Sequence, residues 1–338
     1  MLIRIGNLAL QAAISLTQAQ PATRSAPDAG SVLLQGRVVT GTYEHPAGTR
    51  RYRLFLPDST STPPRAIVVV LHGCAQGADD VARLTRMDEA GQTRGFAVLY
   101  PEQAATANPL RCWNWFDPAH QHRDAGEPAI LAGMMRRIVN EYVLDSTRIH
   151  LIGLSAGAAM ASVVAVSYPE LVAGLGLHSP VAYRSAESVM RAIGVMRGDL
   201  VDPDSGASLA VEEMGSRRRA MPVLVMHGGS DNVVAPVNGL ATVMQWRRVN
   251  QAANTLTSKT LTSAETRDNG SARPAVVTRY PGIAPVEFWR IEGMSHAWSG
   301  GPAGERFADP DGPDATMIFL RFFAEHAALR GAGIRKER

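Results

Sequence analysis

The sequence predicts an α/β fold with a doubly wound, mostly parallel sheet and an antiparallel N-terminal hairpin. Short apolar stretches alternate with longer helical ones along most of the chain, which is typical of strands connected by helices. The stretch AIVVVLHG at 66–73 is continuously apolar, is rich in β-branched residues and ends in glycine. A strand with both faces covered shows this composition, so we expect it at the centre of the sheet.

The elements follow one another in a regular order. GRVVTGTYE (36–44) and RRYRLFLP (50–57) alternate polar and apolar residues, which indicates a half-buried antiparallel hairpin. The polar stretch 256–280 is expected to end as a strand pair at a sheet edge. Beyond the central strand, we predict strands at 95–101, 148–153, 172–178, 221–228 and 286–293, and helices at 79–93, 127–142, 156–168, 239–251 and 314–328.

Length and composition favour one domain. The 338 residues are 45% hydrophobic, which is ample for a buried core, and no composition break or internal repeat divides the chain. We therefore predict a single α/β domain at 35–328, a leader at 1–34 and a basic tail at 329–338. The leader has a weak apolar stretch interrupted by Gln11, so it is either a poor signal peptide or an amphipathic or disordered segment.

The distribution of charged and apolar residues argues against nucleic-acid binding and against a membrane span. The formal net charge is +3, and the basic residues are scattered apart from Arg217–Arg219 and the tail, so there is no nucleic-acid footprint. We expect Arg217–Arg219 to lie on a solvated helix surface. No apolar run approaches the roughly twenty residues of a membrane span, so no membrane-spanning segment is expected.

The chain has two cysteines, Cys74 and Cys112. They lack the spacing and the histidine partners of a zinc site, so we expect no metal and no cofactor. They are either two free thiols or one disulfide, and a disulfide would indicate an oxidising compartment.

The pentapeptide GLSAG at 153–157 fits the pattern G-x-S-x-G. The pentapeptide alone is a weak signal, and its glycines could serve only as a tight turn. However, it follows a predicted strand and opens a predicted helix, which is the context of the nucleophile elbow in the α/β-hydrolase fold. The flanking glycines leave no Cβ to clash, so Ser155 is predicted to be held above the sheet edge as a nucleophile.

A serine hydroxyl is a weak nucleophile, so it needs a base and an acid that orients the base. In this fold the acid follows a late strand and the histidine precedes the last helix. Asp231 in HGGSDNVVAP and His296 in EGMSHAWSGG occupy these places. The alternative for Asp231 is that it only caps the following turn.

The other acids and histidines fit less well. Asp309, Asp311 and Asp314 come after His296, and we expect them to form the turn and N-cap of the last helix. Three of the nine histidines end predicted strands, where we expect structural roles: His72, His178 and His227. Three more have no acid in the required order: His120, His122 and His326.

Acyl transfer also needs donors for the negative oxygen of the tetrahedral intermediate. One donor in this fold is the N–H after the nucleophile, which is that of Ala156. The other comes from the loop after the third strand, LHGCAQG, and is predicted to be the N–H of Cys74. Because the backbone plays this role, the Cys74 sulfur need not be reactive.

Several separated blocks resemble one family, the polyhydroxybutyrate (PHB) depolymerase-type esterases, relatives of feruloyl and acetylxylan esterases. The resemblance covers about 41–323. The blocks are LHGCAQ, YPEQ, CWNWF, RDAGEPAIL, GLSAGAAM, HGGSDNVVAPVNG, GMSHAWSGG and DPDGPDAT with a later FF. It implies Ser155 as nucleophile, Asp231 as acid and His296 as base.

The resemblance carries further expectations. It implies Cys74 and Ala156 as oxyanion donors, and Trp113 and Trp115 as aromatic walls for an acyl chain, with ordinary packing as the alternative for both rings. A Cys74–Cys112 disulfide would tie the CWNWF loop to the oxyanion loop.

The expected partner is an ester: a hydroxyalkanoate polymer, an oligomer or a small ester, with feruloyl, acetylxylan or general carboxylesterase activity as the alternative. A catalytically inactive binding protein on the same fold is a second alternative. Depolymerases that attack crystalline granules carry a linker and a separate polymer-binding domain, and we expect none here, since the sequence ends shortly after the last predicted helix. The expected location is secreted or periplasmic, and otherwise cytoplasmic.

Overall fold

A computed structural model describes residues 36–58, 66–253 and 263–326. The predicted leader and tail lie outside the described residues. Twelve strands are described: β1 Arg37–His45, β2 Gly48–Leu56, β3 Ile67–Leu71, β4 Ala97–Glu102, β5 Ile149–Leu154, β6 Gly174–His178, β7 Val223–Gly228, β8 Ala264–Asp268, β9 Ala275–Tyr280, β10 Val286–Ile291, β11 Trp298–Ser299 and β12 Ala308–Asp309. The described helices are α1 Ala78–Thr85, α2 Met87–Arg94, α3 Gly126–Glu141, α4 Ala156–Ser167, α5 Val189–Met196, α6 Pro203–Met214, α7 Val237–Ala252 and α8 Ala315–His326.

Ten strands form one sheet in the order β1-β2-β4-β3-β5-β6-β7-β10-β9-β8. The strands from β4 to β10 in this order are parallel to their neighbours. The pairs at both edges are antiparallel, which confirms the N-terminal hairpin and the predicted strand pair at the far edge. The carboxyl ends of the parallel strands therefore meet along one edge, where ligand sites of such sheets lie.

Helices cover both faces of this sheet, as the doubly wound fold requires. Along β3, Ile67 and Val69 pack into one hydrophobic core, which includes α3, α4, α6 and α7. Val68 and Val70, which point the other way, pack into a second core with α1, α2 and α8. This alternation explains why the strand is apolar throughout its length.

The structure corrects three details of the predicted elements. The predicted helix 79–93 is two helices, α1 and α2, because Arg86 between them adopts a left-handed φ of 50°. Helices α5 and α6, between β6 and β7, were not predicted. Arg217 ends a 3-10 turn after α6, and it and Arg218 are exposed while Arg219 is half-buried.

Candidate active site

Ser155 lies at the turn between β5 and α4, with φ 56° and ψ −121°. Few residues with a side chain adopt this conformation, and such strain is concentrated at functional sites. The turn is held by the Ser155 N–H, which donates to the His178 carbonyl at 2.9 Å. The structure thus has a strained turn with Ser155 at its tip where the sequence predicts the elbow, and the role of Ser155 as a nucleophile stays a prediction.

The flanking glycines are required by space. A Cβ at Gly153 would lie 2.2 Å from the Gly157 carbonyl oxygen, and a Cβ at Gly157 would lie 2.2 Å from that of Leu71. These contacts involve backbone, so no side chain can move aside to relieve them. Gly157 therefore lets α4 start directly against the end of β3.

Asp231 and His296 are in direct contact, although they lie in different loops. Asp231 follows β7 and His296 follows β10, the parallel neighbour of β7. The His296 Nδ1–H donates to Asp231 Oδ2 at 2.7 Å. In a neutral imidazole this bond leaves Nε2 as the basic nitrogen.

Asp231 also caps its own turn. Its Oδ1 accepts the N–H groups of Val233 and Val234, both at 2.9 Å. Burial alone would raise the Asp231 pKa, but the His296 charge and the hydrogen bonds from His227 and His296 outweigh it and hold this pKa well below its usual range. Both interpretations of this carboxylate, as turn cap and as partner of the histidine, are therefore compatible.

Ser155 sits at the same sheet edge as this pair. It follows β5, which is separated from β7 only by β6. Among the described contacts no hydrogen bond joins the Ser155 hydroxyl to His296, and in enzymes without substrate such bonds are often long and tighten only in the complex. Asp314, one of the rival acids, caps α8 by accepting the Met317 N–H at 3.0 Å.

The loop after β3 lies against the elbow. A Cβ at Gly73 would lie 3.6 Å from the Ser155 Cβ. The Gly73 N–H donates to Gln76 Oε1 at 2.8 Å and the Ala75 N–H to the Leu110 carbonyl at 2.7 Å. The Cys74 N–H between them has no acceptor among the described residues.

Cys74 and Cys112 form a disulfide. It joins the loop after β3 to the loop between β4 and α3 that contains the two tryptophans. The sequence had left open whether these cysteines are free thiols or a bridge.

A cavity of about 540 Å³, including space open to solvent, contains Ser155, Ala156 and both cysteines among its walls. The other wall residues are mostly apolar, and the inner side of α5 supplies four of them. They are Trp115, Phe116, Ser179, Val181, Val189, Ala192, Ile193, Met196 and Val234.

The two tryptophans differ in position. Trp115 lines the cavity, as an acyl-chain wall would. Trp113 is fully buried outside the cavity lining, and its Nε1–H donates to the His72 carbonyl at 3.2 Å. The expected wall role therefore does not fit Trp113, whose ring packs against and anchors the loop, as the alternative interpretation had it.

Glu127, at the start of α3, holds this tryptophan loop in place. Its buried carboxylate accepts the Asn114 N–H at 2.8 Å, the Asn114 side-chain amide at 2.7 Å, and an Arg50 N–H at 3.2 Å. Gln103 donates to the same carboxylate and also to the Cys112 carbonyl at 2.9 Å. The loop is thus fixed by a carboxylate as well as by the disulfide.

In the described part of the chain, no group of three or more His, Cys, Asp or Glu side chains could hold a metal ion. No helix there has the length and apolar character needed to cross a membrane.

A family model described as Esterase PHB depolymerase matches residues 50–272. The chain belongs to this family. Poly(3-hydroxyalkanoate) depolymerase C of Paucimonas lemoignei is 31% identical over 233 residues, which are 68% of this chain and 54% of that protein. Feruloyl esterase B of Neurospora crassa is 29% identical over 62% of this chain and 73% of its own length. The match thus spans only about half of the depolymerase, and the relatives that match this chain include several kinds of carboxylic ester hydrolase.

Solved structures show the same fold. An acetyl xylan esterase from Aspergillus awamori is 21% identical, with a TM-score of 0.62 over 81% of this chain and 94% of its own. The feruloyl esterase module from Clostridium thermocellum is 14% identical, with a TM-score of 0.51 over 95% of this chain and 99% of its own. The predicted α/β-hydrolase fold is confirmed.

Sequence reasoning missed the cavity wall formed by α5. Two signals could have located the helices after β6. The Ser188 hydroxyl caps α5 by accepting the Arg191 N–H at 3.3 Å, and Asp202 caps α6 immediately before Pro203. With α5 located, the apolar side chains of Ala192 and Met196 would have been cavity candidates.

Proposed function

We propose that the protein is a serine esterase that works through an acyl-enzyme. The observation that carries the proposal is a strained serine at the same edge of a parallel sheet as the hydrogen-bonded pair Asp231–His296. His296 Nε2 takes the proton of the Ser155 hydroxyl, and the Ser155 oxygen attacks the ester carbonyl. Asp231 holds the imidazole in the tautomer with hydrogen on Nδ1 and stabilises its charged form.

The tetrahedral intermediate collapses by expelling the alcohol, which receives the proton from His296. Water then attacks the acyl-enzyme with His296 again as base, and it releases the acid and restores Ser155. The N–H groups of Cys74 and Ala156 bind the negative oxygen in both steps. Two facts support this assignment: both residues line the cavity with Ser155, and Ala156 begins α4, where N–H groups lack helical acceptors.

The acyl group fits the apolar cavity. Apart from Ser155 and Ser179, the side chains that line it are aliphatic, aromatic or part of the disulfide. This lining favours a short, uncharged acyl chain such as that of a hydroxybutyrate ester. Feruloyl, acetylxylan or general ester hydrolysis is the second candidate, because relatives with such names match the chain about as well.

Ser155→Ala tests the mechanism. Hydrolysis of p-nitrophenyl butyrate is expected to fall by a factor on the order of 10⁶, the usual result when a triad nucleophile is removed. A fluorophosphonate probe should label the wild type and leave the variant unlabelled. Near-wild-type turnover by the variant would refute the assignment, and a wild type that neither turns over nor takes the label would favour the inactive binding protein.

A substrate panel tests the acyl group. Hydroxybutyrate oligomers, amorphous polymer, p-nitrophenyl esters of rising chain length and methyl ferulate are compared by kcat/KM. We expect the butyrate and hydroxybutyrate esters to lead. Preference for ferulate would replace the substrate and leave the mechanism in place.

The compartment is proposed from the disulfide. A structural disulfide persists in oxidising surroundings, so the protein is expected outside the cytoplasm. Cell fractionation with a cytoplasmic marker checks this, and a cytoplasmic protein with reduced thiols would contradict it.

A further inference from the structure

The last residue of β6, His178, lies between the proposed nucleophile and the proposed base. Strand β6 separates β5, which leads to Ser155, from β7, which leads to Asp231. The His178 side chain is fully buried, and the mechanism above does not use it. A buried polar ring at the centre of an active-site edge calls for an explanation.

His178 contacts both sides of the site. Its carbonyl accepts the Ser155 N–H at 2.9 Å, which fastens the nucleophile turn. Its ring Nε2 accepts the Ser299 N–H at 3.2 Å, and the ring stacks on Trp298 with centroids 5.0 Å apart. Trp298 and Ser299 form the two-residue strand β11, which begins two residues after His296, so His178 joins the serine turn to the segment that carries His296, called here the histidine loop.

The ring keeps a single protonation form. Burial, followed by the charges of His227 and His296, lowers the His178 pKa to about 3. The neutral ring has one N–H. Because Nε2 is occupied as an acceptor, the hydrogen is on Nδ1, which donates to the Ser179 hydroxyl at 3.2 Å. The acceptor for Ser299 is therefore present across the pH range in which an esterase works.

Two other buried histidines at strand ends also bind backbone groups through Nε2, one as acceptor and one as donor. The Gln103 N–H donates to His72 Nε2 at 3.0 Å, and His227 Nε2–H donates to the Val234 carbonyl at 2.8 Å. Each ring thus binds the backbone of a loop at the site. Among the three, His178 alone joins the serine turn to the histidine loop.

We propose that His178 is a positioning residue, whose ring sets the place of the His296 loop relative to Ser155. This inference rests on the proposed function. The Ser299 N–H is buried and needs an acceptor, so losing Nε2 would displace the loop. The bond from Ser155 goes to the His178 backbone and survives any substitution there, so a side-chain variant tests the ring alone.

The test compares substitutions at one position. His178→Leu and His178→Asn remove an acceptor at the place of Nε2, whereas the longer amide of His178→Gln puts an oxygen there. With p-nitrophenyl butyrate at pH 7, we expect kcat to fall about 10- to 100-fold in Leu and Asn, because small misplacements of reacting groups have effects of this size. KM should stay within about two-fold in all three variants, because the proposed substrate site keeps its lining residues. His178→Gln should restore most of kcat, because its amide oxygen supplies the acceptor.

His150→Leu is the matched control. His150 is also buried and stacks on an aromatic ring, Phe323 at 4.5 Å, but it lies near the start of β5, away from Ser155. It should lower stability and leave kcat unchanged. If His178→Leu does not fold, the comparison of Asn with Gln, which are both amides, carries the test.

Two results would overturn the proposal. One is an unchanged kcat in both His178→Leu and His178→Asn, and the other is an equal loss of kcat in His178→Asn and His178→Gln. Failure of the proposed function is separate, because it would show as retained activity in Ser155→Ala. Labelling by the fluorophosphonate should persist at a reduced rate in His178→Leu, which shows that the nucleophile is still present.

Discussion

Ser155 holds a backbone conformation that its side chain does not favour, at a cost of about 1–3 kcal/mol. The surroundings impose it: the Ser155 N–H binds the His178 carbonyl, and the Ala159 N–H binds the Ser155 carbonyl at 3.0 Å. Such a tip can be kept only where the residues two positions before and after it, Gly153 and Gly157, have no side chain. The strained turn at Ser155 therefore depends on the two glycines.

Gly157→Ala tests that feature. The added Cβ meets the carbonyl oxygens of Leu71 and His72 at 2.2 and 2.5 Å, so we expect a loss of about 1–3 kcal/mol in the free energy of unfolding and a drop in kcat as the elbow shifts. Urea unfolding and p-nitrophenyl butyrate kinetics measure both. Gly282→Ala, where the nearest atom is 3.6 Å from the new Cβ, is the control and should change neither. Wild-type stability of Gly157→Ala would contradict the clash.

The buried His178 ring makes the free energy of unfolding depend on pH. Its pKa is lowered to about 3 in the folded protein, against about 6.5 when unfolded. Its contribution to stability is therefore full above pH 6.5 and is lost as the pH falls toward 3, because the unfolded chain binds a proton that the folded one refuses. Between about pH 6 and pH 4 this difference lowers the free energy of unfolding of the wild type by about 1.4 kcal/mol per pH unit. His178→Gln lacks the titrating ring, so its free energy of unfolding should fall less steeply by that amount. Parallel curves from urea titrations would refute this.

At the level of single residues, the order of the strands allowed the contact between Asp231 and His296 to be predicted from the sequence, and the two side chains are in contact. Their catalytic roles stay a prediction. The contacts of Glu127 and His178 were not predictable. Glu127 binds an irregular loop whose fold the sequence pattern does not give, and His178 binds Ser299, 121 residues further along the chain. Trp113 and Trp115 could not be distinguished either, since only the folded loop decides which ring faces the cavity.

At the level of elements, α5 does more than connect two strands. Its Val189, Ala192, Ile193 and Met196 face the cavity, while Met190 on the same helix is exposed. The helix therefore forms one wall of the cavity. If the cavity takes the acyl group, as proposed, we expect α5 to limit the length of that group.

Met196→Ala should lengthen the preferred acyl chain. Removing the Met196 side chain enlarges an apolar wall, so kcat/KM for p-nitrophenyl octanoate relative to butyrate is expected to rise about 3- to 10-fold, a factor typical of added space for methylene groups. Met190→Ala, on the exposed side of the same helix, is the control and should leave the ratio unchanged. An unchanged ratio in Met196→Ala would show that α5 does not limit the length of the acyl chain.

Element prediction succeeded for strands and failed at two kinds of helix. Strands such as β3 are buried on both faces and are therefore recognisable as apolar runs. The break between α1 and α2 has no proline or glycine, because Arg86 itself takes the left-handed conformation. Helix α5 was missed because it has only 8 residues, and α6 because its first half, PDSGAS, contains glycine and other weak helix formers, although the caps of both helices are ordinary.

Considered as a whole molecule, the site is assembled by topology. The loops that carry Ser155, Asp231 and His296 come from distant parts of the sequence, and the parallel order β5-β6-β7-β10 brings their ends to one edge. The disulfide adds the loop between β4 and α3 to this edge. Order of elements could be predicted from the sequence, but the pairing of the strands could not, since their apolar patterns are alike.

Removing the disulfide should weaken the whole fold. Its cysteines are 38 residues apart, and closing such a loop in the unfolded chain is worth roughly 4 kcal/mol as an upper estimate. Cys74→Ala with Cys112→Ala should lower the free energy of unfolding by up to this amount, measured in urea. The double variant keeps the Cys74 backbone N–H, so activity in the folded state should be reduced rather than abolished. Complete loss of turnover in a folded variant would contradict the backbone role.

The place of the disulfide in the chain also bears on biosynthesis. Cys74 and Cys112 both precede Ser155, so they leave the ribosome before any member of the proposed triad. The sequence has only these two cysteines, and two cysteines allow one intramolecular pair. Within this sequence, a thiol oxidase that meets the growing chain can make only one internal bridge, Cys74–Cys112, so no disulfide isomerase is needed to exchange it for another.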